Sequence, residues 1–157
     1  MIRVFIYLLL CFFITSSCKK KFEEGPLISF RSAEKRLQGP WKFVKYYENE
    51  EDKSPLLSQH VKYKYIHFVD YDGTKEVLLQ PNTDYPTLDM GSYSIKKNKL
   101  ELNYFIDTTD TFVAMYPIFW GKDTTWTWDI LKLTNNEMVL RFKYKQKEQR
   151  IELSKKK

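Results

Sequence analysis

Aromatic and β-branched segments of five to ten residues dominate the chain from Trp41 onward, and short connections containing Gly, Asn or Asp separate them. This pattern is typical of β-strands. No stretch has a helical period long enough to cross a parallel sheet, so the strands are expected to be antiparallel. The sequence predicts nine strands: Trp41 to Tyr47, Lys62 to Val69, Thr74 to Leu79, Gly91 to Lys96, Lys99 to Phe105, Thr111 to Tyr116, Thr125 to Leu133, Glu137 to Tyr144 and Arg150 to Ser154.

The turns and the alternation along the strands favour a closed sheet. Asp72-Gly73, Asn98 and Asn135-Asn136 are residues that adopt positive φ in tight hairpins. Apolar side chains alternate with polar ones, so each strand has one apolar face and one solvated face. A curved sheet must bury its apolar face, and closure removes its reactive edges. We therefore predict an all-β fold, an antiparallel up-and-down β-barrel of about eight or nine strands.

The first 18 residues predict export and lipidation. Arg3 precedes an apolar run from Val4 to Ile14, and the small polar residues 15–17 precede Cys18. The run is shorter than the roughly 20 residues that a transmembrane helix needs, so residues 1–17 are interpreted as a signal peptide. Residues 14–18 resemble the lipobox of bacterial lipoproteins, which implies a Cys18 carrying acyl chains. The expected location is the cell envelope, anchored by lipid in the outer membrane.

Removal of 17 residues would leave 140 of the 157, a length that suits one domain. Residues 18–36 are interpreted as a lipidated tether and 37–157 as the barrel domain. Within the tether, Ser32 is expected to cap a short helical turn, with Glu34 near its positive end. The net charge of +6 falls to +5 without Arg3. Because no basic helix or recognised module accompanies this charge, nucleic acid is not an expected partner.

The order of several motifs resembles that of a known family. Gly39 and Trp41 form a Gly-x-Trp pattern similar to the start of the first strand in lipocalin-like barrels. The further motifs are Tyr65-Ile66-His67-Phe68 with Asp72-Gly73, Gly91 to Ile95, Trp128 to Leu133, and Leu140-Arg141. Their order is similar to that of the lipocalin-like lipoproteins of Bacteroidetes. The resemblance allows Arg141 to stack on Trp41; the alternative is an outward arginine that faces solvent.

Residues that would indicate catalysis are scarce. After processing no cysteine nucleophile would remain, and His60, expected in a loop, and His67, expected to face solvent, are the two imidazoles. The sequence contains no nucleophile elbow, phosphate-binding glycine loop or zinc helix. Asp70 to Gly73 resembles the start of a calcium loop, but Lys75 and Pro81 occupy positions where that loop needs glycine and glutamate. We expect a protein that is not an enzyme and that holds neither cofactor nor metal.

Aromatic residues make up 17% of the chain and indicate a binding function. Such side chains combine an apolar body with a polar tip and suit amphipathic ligands. We predict that the barrel binds a small apolar or amphipathic molecule. The predicted binding residues are Trp41, Tyr93, Tyr104, Tyr116, Trp126, Trp128 and Phe142. The alternative is a filled barrel that acts as an envelope structural module or contacts an envelope protein.

Overall fold

The computed structural model describes Phe22 and residues 31–60, 63–81, 87–104, 125–144 and 146–156. Over these residues the elements are two short helices, α1 and α2, and nine strands, β1 to β9. In chain order they are α1 (Ala33–Leu37), β1 (Gly39–Glu48), β2 (Glu51–Asp52), α2 (Pro55–His60), β3 (Tyr65–Tyr71), β4 (Thr74–Gln80), β5 (Leu88–Lys96), β6 (Lys99–Tyr104), β7 (Thr125–Leu133), β8 (Glu137–Tyr144) and β9 (Lys147–Lys155). None of the helices in these ranges is long and apolar enough to cross a bilayer.

The strands form one antiparallel sheet in which each pairs with the next, except that β2 lies outside β1 and β3 pairs directly with β1. The last strand also pairs with the first, from Trp41 opposite Lys155 to Glu48 opposite Gln149. This pairing closes β1 and β3 to β9 into an eight-stranded up-and-down barrel, and β2 is one further strand. The predicted fold class is confirmed.

The barrel has two different ends. At the closed end lie α1, the start of β1 and the hairpins β3–β4, β5–β6 and β7–β8; the β8–β9 hairpin and the ends of β4 and β6 lie at the open end. The side chain of Ser32 caps α1 as predicted, accepting a hydrogen bond from the Lys35 backbone N–H at 3.2 Å. Leu37 at the end of α1 is fully buried. The helix therefore seals one end of the core.

Turn chemistry explains most hairpins. Asp72 and Gly73 have φ of 49° and 91°, the positive values that a two-residue hairpin favours. In the next hairpin the positive φ falls on Lys97 and not on Asn98, as expected from the sequence. The Thr134 hydroxyl accepts from the Glu137 backbone N–H at 2.9 Å and so closes the β7–β8 turn.

Three parts of the chain differ from the predicted strands or lie outside the described residues. Strand β2 and helix α2 were not predicted, and His60 is the last residue of α2 and not part of a loop. The turn before β2 needs positive φ at Asn49 and Glu50, where no glycine signals it. The predicted strand Thr111 to Tyr116 lies outside the described residues.

Candidate functional site

An aromatic cluster of Trp126, Trp128 and Phe142 lines the inner wall towards the open end. Trp126 and Trp128 are two residues apart on β7, so both point inward. The β7–β8 register sets Asp129 opposite Arg141 and thereby places Phe142 across from Trp128. The ring centroid of Phe142 lies 4.7 Å from that of Trp126 and 5.1 Å from that of Trp128. Phe142 is only half-buried, whereas both indoles are buried.

A polar network adjoins this cluster on the same wall. Gln149 pairs with Phe142 across β8 and β9 and is buried. Its side-chain amide donates to the Tyr46 hydroxyl at 3.0 Å, and that hydroxyl donates to a Glu48 carboxylate oxygen at 3.2 Å. Glu48 also forms an ion pair with Lys147 at 2.9 Å. The wall thus combines flat apolar surface with hydrogen-bonding groups, which is the combination that an amphipathic molecule requires.

Below the cluster, the middle of the barrel is almost filled. A cavity of about 10 Å³ remains there, and a cavity needs about 10 to 15 Å³ to hold one water molecule. Its apolar lining comes from six strands: Phe43, Ile66, Phe68, Leu102, Trp128, Leu140, Ile151 and Leu153. A ligand larger than water therefore has room at the open end or nowhere in the part of the barrel that the structure describes.

Two of the predicted binding residues lie at the closed end. Trp41 is fully buried, and its indole N–H donates to the Leu37 carbonyl at 2.6 Å. Tyr93 packs edge-to-face against Phe68 with centroids 5.2 Å apart. Burial is the main cause that raises the pKa of Tyr93 to about 12, and the charges of Asp70 and Glu34 add to it. Both rings therefore serve the core beneath α1, far from the open end.

The cation that contacts Trp41 is Lys155. Its ammonium nitrogen lies 5.1 Å from the indole centroid and also donates to the Arg36 carbonyl at 2.9 Å. Arg141 instead lies on the outer face, where it pairs with Asp129 at 3.5 Å. The outward alternative for Arg141 is the one observed, and a lysine of the last strand makes the cation–π contact.

Residues 37–140 match the model of the lipocalin-like domain family. The chain belongs to this family. Two solved structures similar to this lipocalin-like chain come from Bacteroides. An uncharacterized protein from Bacteroides eggerthii DSM 20697 is 15% identical, with a TM-score of 0.49, over 76% of this chain and 99% of that one. A lipocalin-like protein from Bacteroides uniformis ATCC 8492 is 14% identical, with a TM-score of 0.48, over 77% and 99%. The comparison with curated proteins found no match.

The other predicted site residues of this lipocalin-like chain are only partly described. Tyr104 ends β6 opposite Gly91, and its side chain is not described. Tyr116 and Cys18 lie outside the described residues. The binding roles of Tyr104 and Tyr116 and the lipidation of Cys18 stay predictions.

Titratable groups in the described part of the barrel are dispersed. No three His, Cys, Asp or Glu side chains among those residues lie close enough to share a metal ion. His67 lies on the outer side of β3, half-buried, with a ring nitrogen 2.9 Å from the Gln80 side-chain oxygen. Burial lowers the pKa of His67, although its hydrogen bond to Gln80 acts in the opposite direction.

Two residues of the polar network escaped the sequence analysis for identifiable reasons. A bulge between Phe43 and Lys45 shifts the alternation of β1, so Tyr46 and not Lys45 points inward. Gln149 lies one residue before the predicted last strand; counting back by two from Leu153 and Ile151 would have placed it inward. The polarity of its side chain concealed that signal.

Proposed function

We propose that this lipocalin-like protein is a membrane-anchored lipoprotein whose barrel binds a small apolar or amphipathic molecule at its open end. The observation that carries the proposal is the aromatic cluster, in which half-buried Phe142 lies against two indoles. Aromatic contacts of this kind contribute about 0.5 to 1.5 kcal/mol beyond the area that they bury. The role is binding without chemistry.

The neighbouring polar network supports an amphipathic ligand over a purely apolar one. Gln149, Tyr46 and Glu48 offer donors and acceptors at one edge of the aromatic surface. A molecule with an apolar body and a polar end would match both parts. Since the cavity beneath measures only about 10 Å³, the apolar body would lie against Trp126 and Phe142 and not deep in the barrel.

Anchoring follows from the lipobox-like residues before Cys18. Each buried methylene of an acyl chain adds about 0.8 kcal/mol, and one chain alone gives only marginal binding. Several acyl chains on Cys18 would therefore hold the protein in the outer membrane of the cell envelope. Mass spectrometry of the chain extracted from its membrane tests this part, because acylation adds a defined mass at Cys18.

Binding is tested with the full chain and a panel of lipids and aromatic metabolites, followed by tryptophan fluorescence and melting temperature. We expect at least one compound to change both signals. Phe142→Ala should weaken that binding about tenfold, since the lost aromatic contacts correspond to about 1.4 kcal/mol. Tyr71→Ala is the matched control, because Tyr71 is an exposed aromatic at the closed end. No response to any compound would contradict the proposal.

A filled barrel that contacts an envelope protein is the second candidate. The observation that favours it is the same small cavity, which leaves the middle of the barrel without room for a ligand. In that case Trp126 and Phe142 serve packing alone. An envelope protein that co-purifies through detergent, together with the absence of any ligand response, would support this candidate over the first.

A further inference from the structure

Charge is distributed unequally between the two ends of the barrel. The closed end carries ten basic and four acidic residues in ranges 31–37, 70–75, 95–100, 132–138 and 154–156. The open end carries four basic and six acidic residues in ranges 46–54, 63–65, 79–81, 87–89, 143–144 and 146–149. Over the described residues, one end is therefore about +6 and the other about −2.

Ion pairs neutralise part of the closed end but leave its positive character. Two of its four acids are paired with lysines of the same end: Glu34 with Lys75 at 2.6 Å, and Glu137 with Lys132 at 2.7 Å. Asp70 accepts a hydrogen bond from the Gly73 backbone N–H at 2.9 Å. Lys35 on α1, Lys97 in a hairpin and Lys156 after β9 are exposed at this end. These three lysines present positive charge from three different elements.

Phe22 ties the N-terminal segment to the same end. It is buried in the hydrophobic core, and the Arg36 guanidinium lies 5.3 Å from its ring centroid. Cys18 precedes Phe22 by four residues, and a fully extended backbone of that length spans at most about 14 Å. The three residues directly after Cys18 are all lysine. An acyl chain on Cys18 would therefore hold the closed end close to the bilayer.

We propose that the closed end of the barrel lies on the anionic headgroups of the membrane that anchors the chain, with the open end facing the aqueous side. The proposal rests on the proposed anchoring through Cys18, and adds an orientation to it. The Debye length is about 8 Å at physiological salt, so charges held within 14 Å of the anchor sense the surface. Each cation near an anionic leaflet strengthens such attraction roughly fivefold. A ligand would then reach the aromatic cluster from water and not from the bilayer.

Lysine acetylation footprinting tests this orientation. The full chain, extracted from its membrane, is reconstituted in vesicles of phosphatidylcholine alone or with 30% phosphatidylglycerol, and the rate at each lysine is read by mass spectrometry. We expect Lys35, Lys97 and Lys156 to react at least fivefold more slowly on the anionic vesicles, and Lys53, Lys143 and Lys147 to react at unchanged rates. High salt should abolish the difference.

Charge-reversal variants make the result specific. Lys35→Glu combined with Lys97→Glu should remove the protection of Lys156, whereas the matched pair Lys53→Glu and Lys143→Glu at the open end should leave it intact. Equal rates at both ends, or equal protection on neutral vesicles, would overturn the orientation. A chain that floats with vesicles but lacks end-specific protection contradicts this inference alone. A chain with no acyl mass that fails to float contradicts the anchoring itself.

Discussion

The Tyr93 hydroxyl is buried at the closed end without a hydrogen-bond partner among the described residues. A buried polar group in this state costs about 1 to 3 kcal/mol relative to a satisfied one. Its ring, by contrast, packs well against Phe68. The residue thus stabilises the core through its ring and not through its oxygen.

We therefore predict that Tyr93→Phe leaves the free energy of unfolding unchanged or raises it by about 1 kcal/mol at neutral pH. The pKa of Tyr93 is about 12 in the folded chain, above the ordinary value of 10. Its folded-state contribution is fully present below pH 10 and is lost as the pH rises towards 12. Denaturant unfolding from pH 7 to 12 should show a smaller alkaline loss for Tyr93→Phe. An identical alkaline loss in both proteins would contradict this explanation.

Lys155 provides a second prediction at this scale. Its ammonium group contacts the buried Trp41 ring and donates to the Arg36 carbonyl, and burial is the main cause that lowers its pKa. Lys155→Met should lower the free energy of unfolding by about 1 to 2 kcal/mol. Lys156→Met is the control, because Lys156 lies 5.0 Å from the Tyr65 centroid but is exposed. Equal losses in the two variants would refute a special role for Lys155.

At the scale of elements, barrel closure depends on how β1 meets β9. Gly39 begins β1 with φ of 106°, and a Cβ there would lie 3.2 Å from Cε of Lys155. Positive φ of this size is strained for any residue with a side chain. The first strand therefore needs glycine both for its backbone and for its contact with the last strand.

Gly39→Ala should accordingly lower the free energy of unfolding by about 1 to 3 kcal/mol. Gly73→Ala is the matched control: Gly73 has φ of 91°, but nothing lies within 4 Å of the position of its Cβ. We expect the control to lose less, because it carries the backbone strain without the contact. Thermal or chemical unfolding of both variants measures the difference, and a larger loss at Gly73 would be inconsistent with it.

The same elements show what sequence could and could not predict. Alternation and the Asp72-Gly73 turn act locally, so most strands and their antiparallel order followed from them. The bulge in β1 and the positive φ at Asn49, Glu50 and Lys97 are imposed by strand pairing, and no glycine marks them. The aromatic cluster was predicted because its residues lie inward on regular strands. Tyr46 and Gln149 were missed because one follows a bulge and the other is polar.

At the scale of the whole molecule, the barrel has one sealed and positive end and one end lined by aromatic and polar groups. Sealing by α1 and filling of the middle confine any ligand to the opposite end. Anchoring near Phe22 would place the sealed end at the membrane. These features together describe a binding protein that presents its site to the surrounding water.

Native mass spectrometry of the full chain, extracted from its own membrane in mild detergent, tests the binding claim most directly. We predict that the wild-type protein carries a small molecule held without a covalent bond, and that Phe142→Ala loses most of it while Tyr71→Ala retains it. Wild-type protein that appears without any bound molecule, under conditions where its fold is intact, would contradict the account and favour the filled barrel.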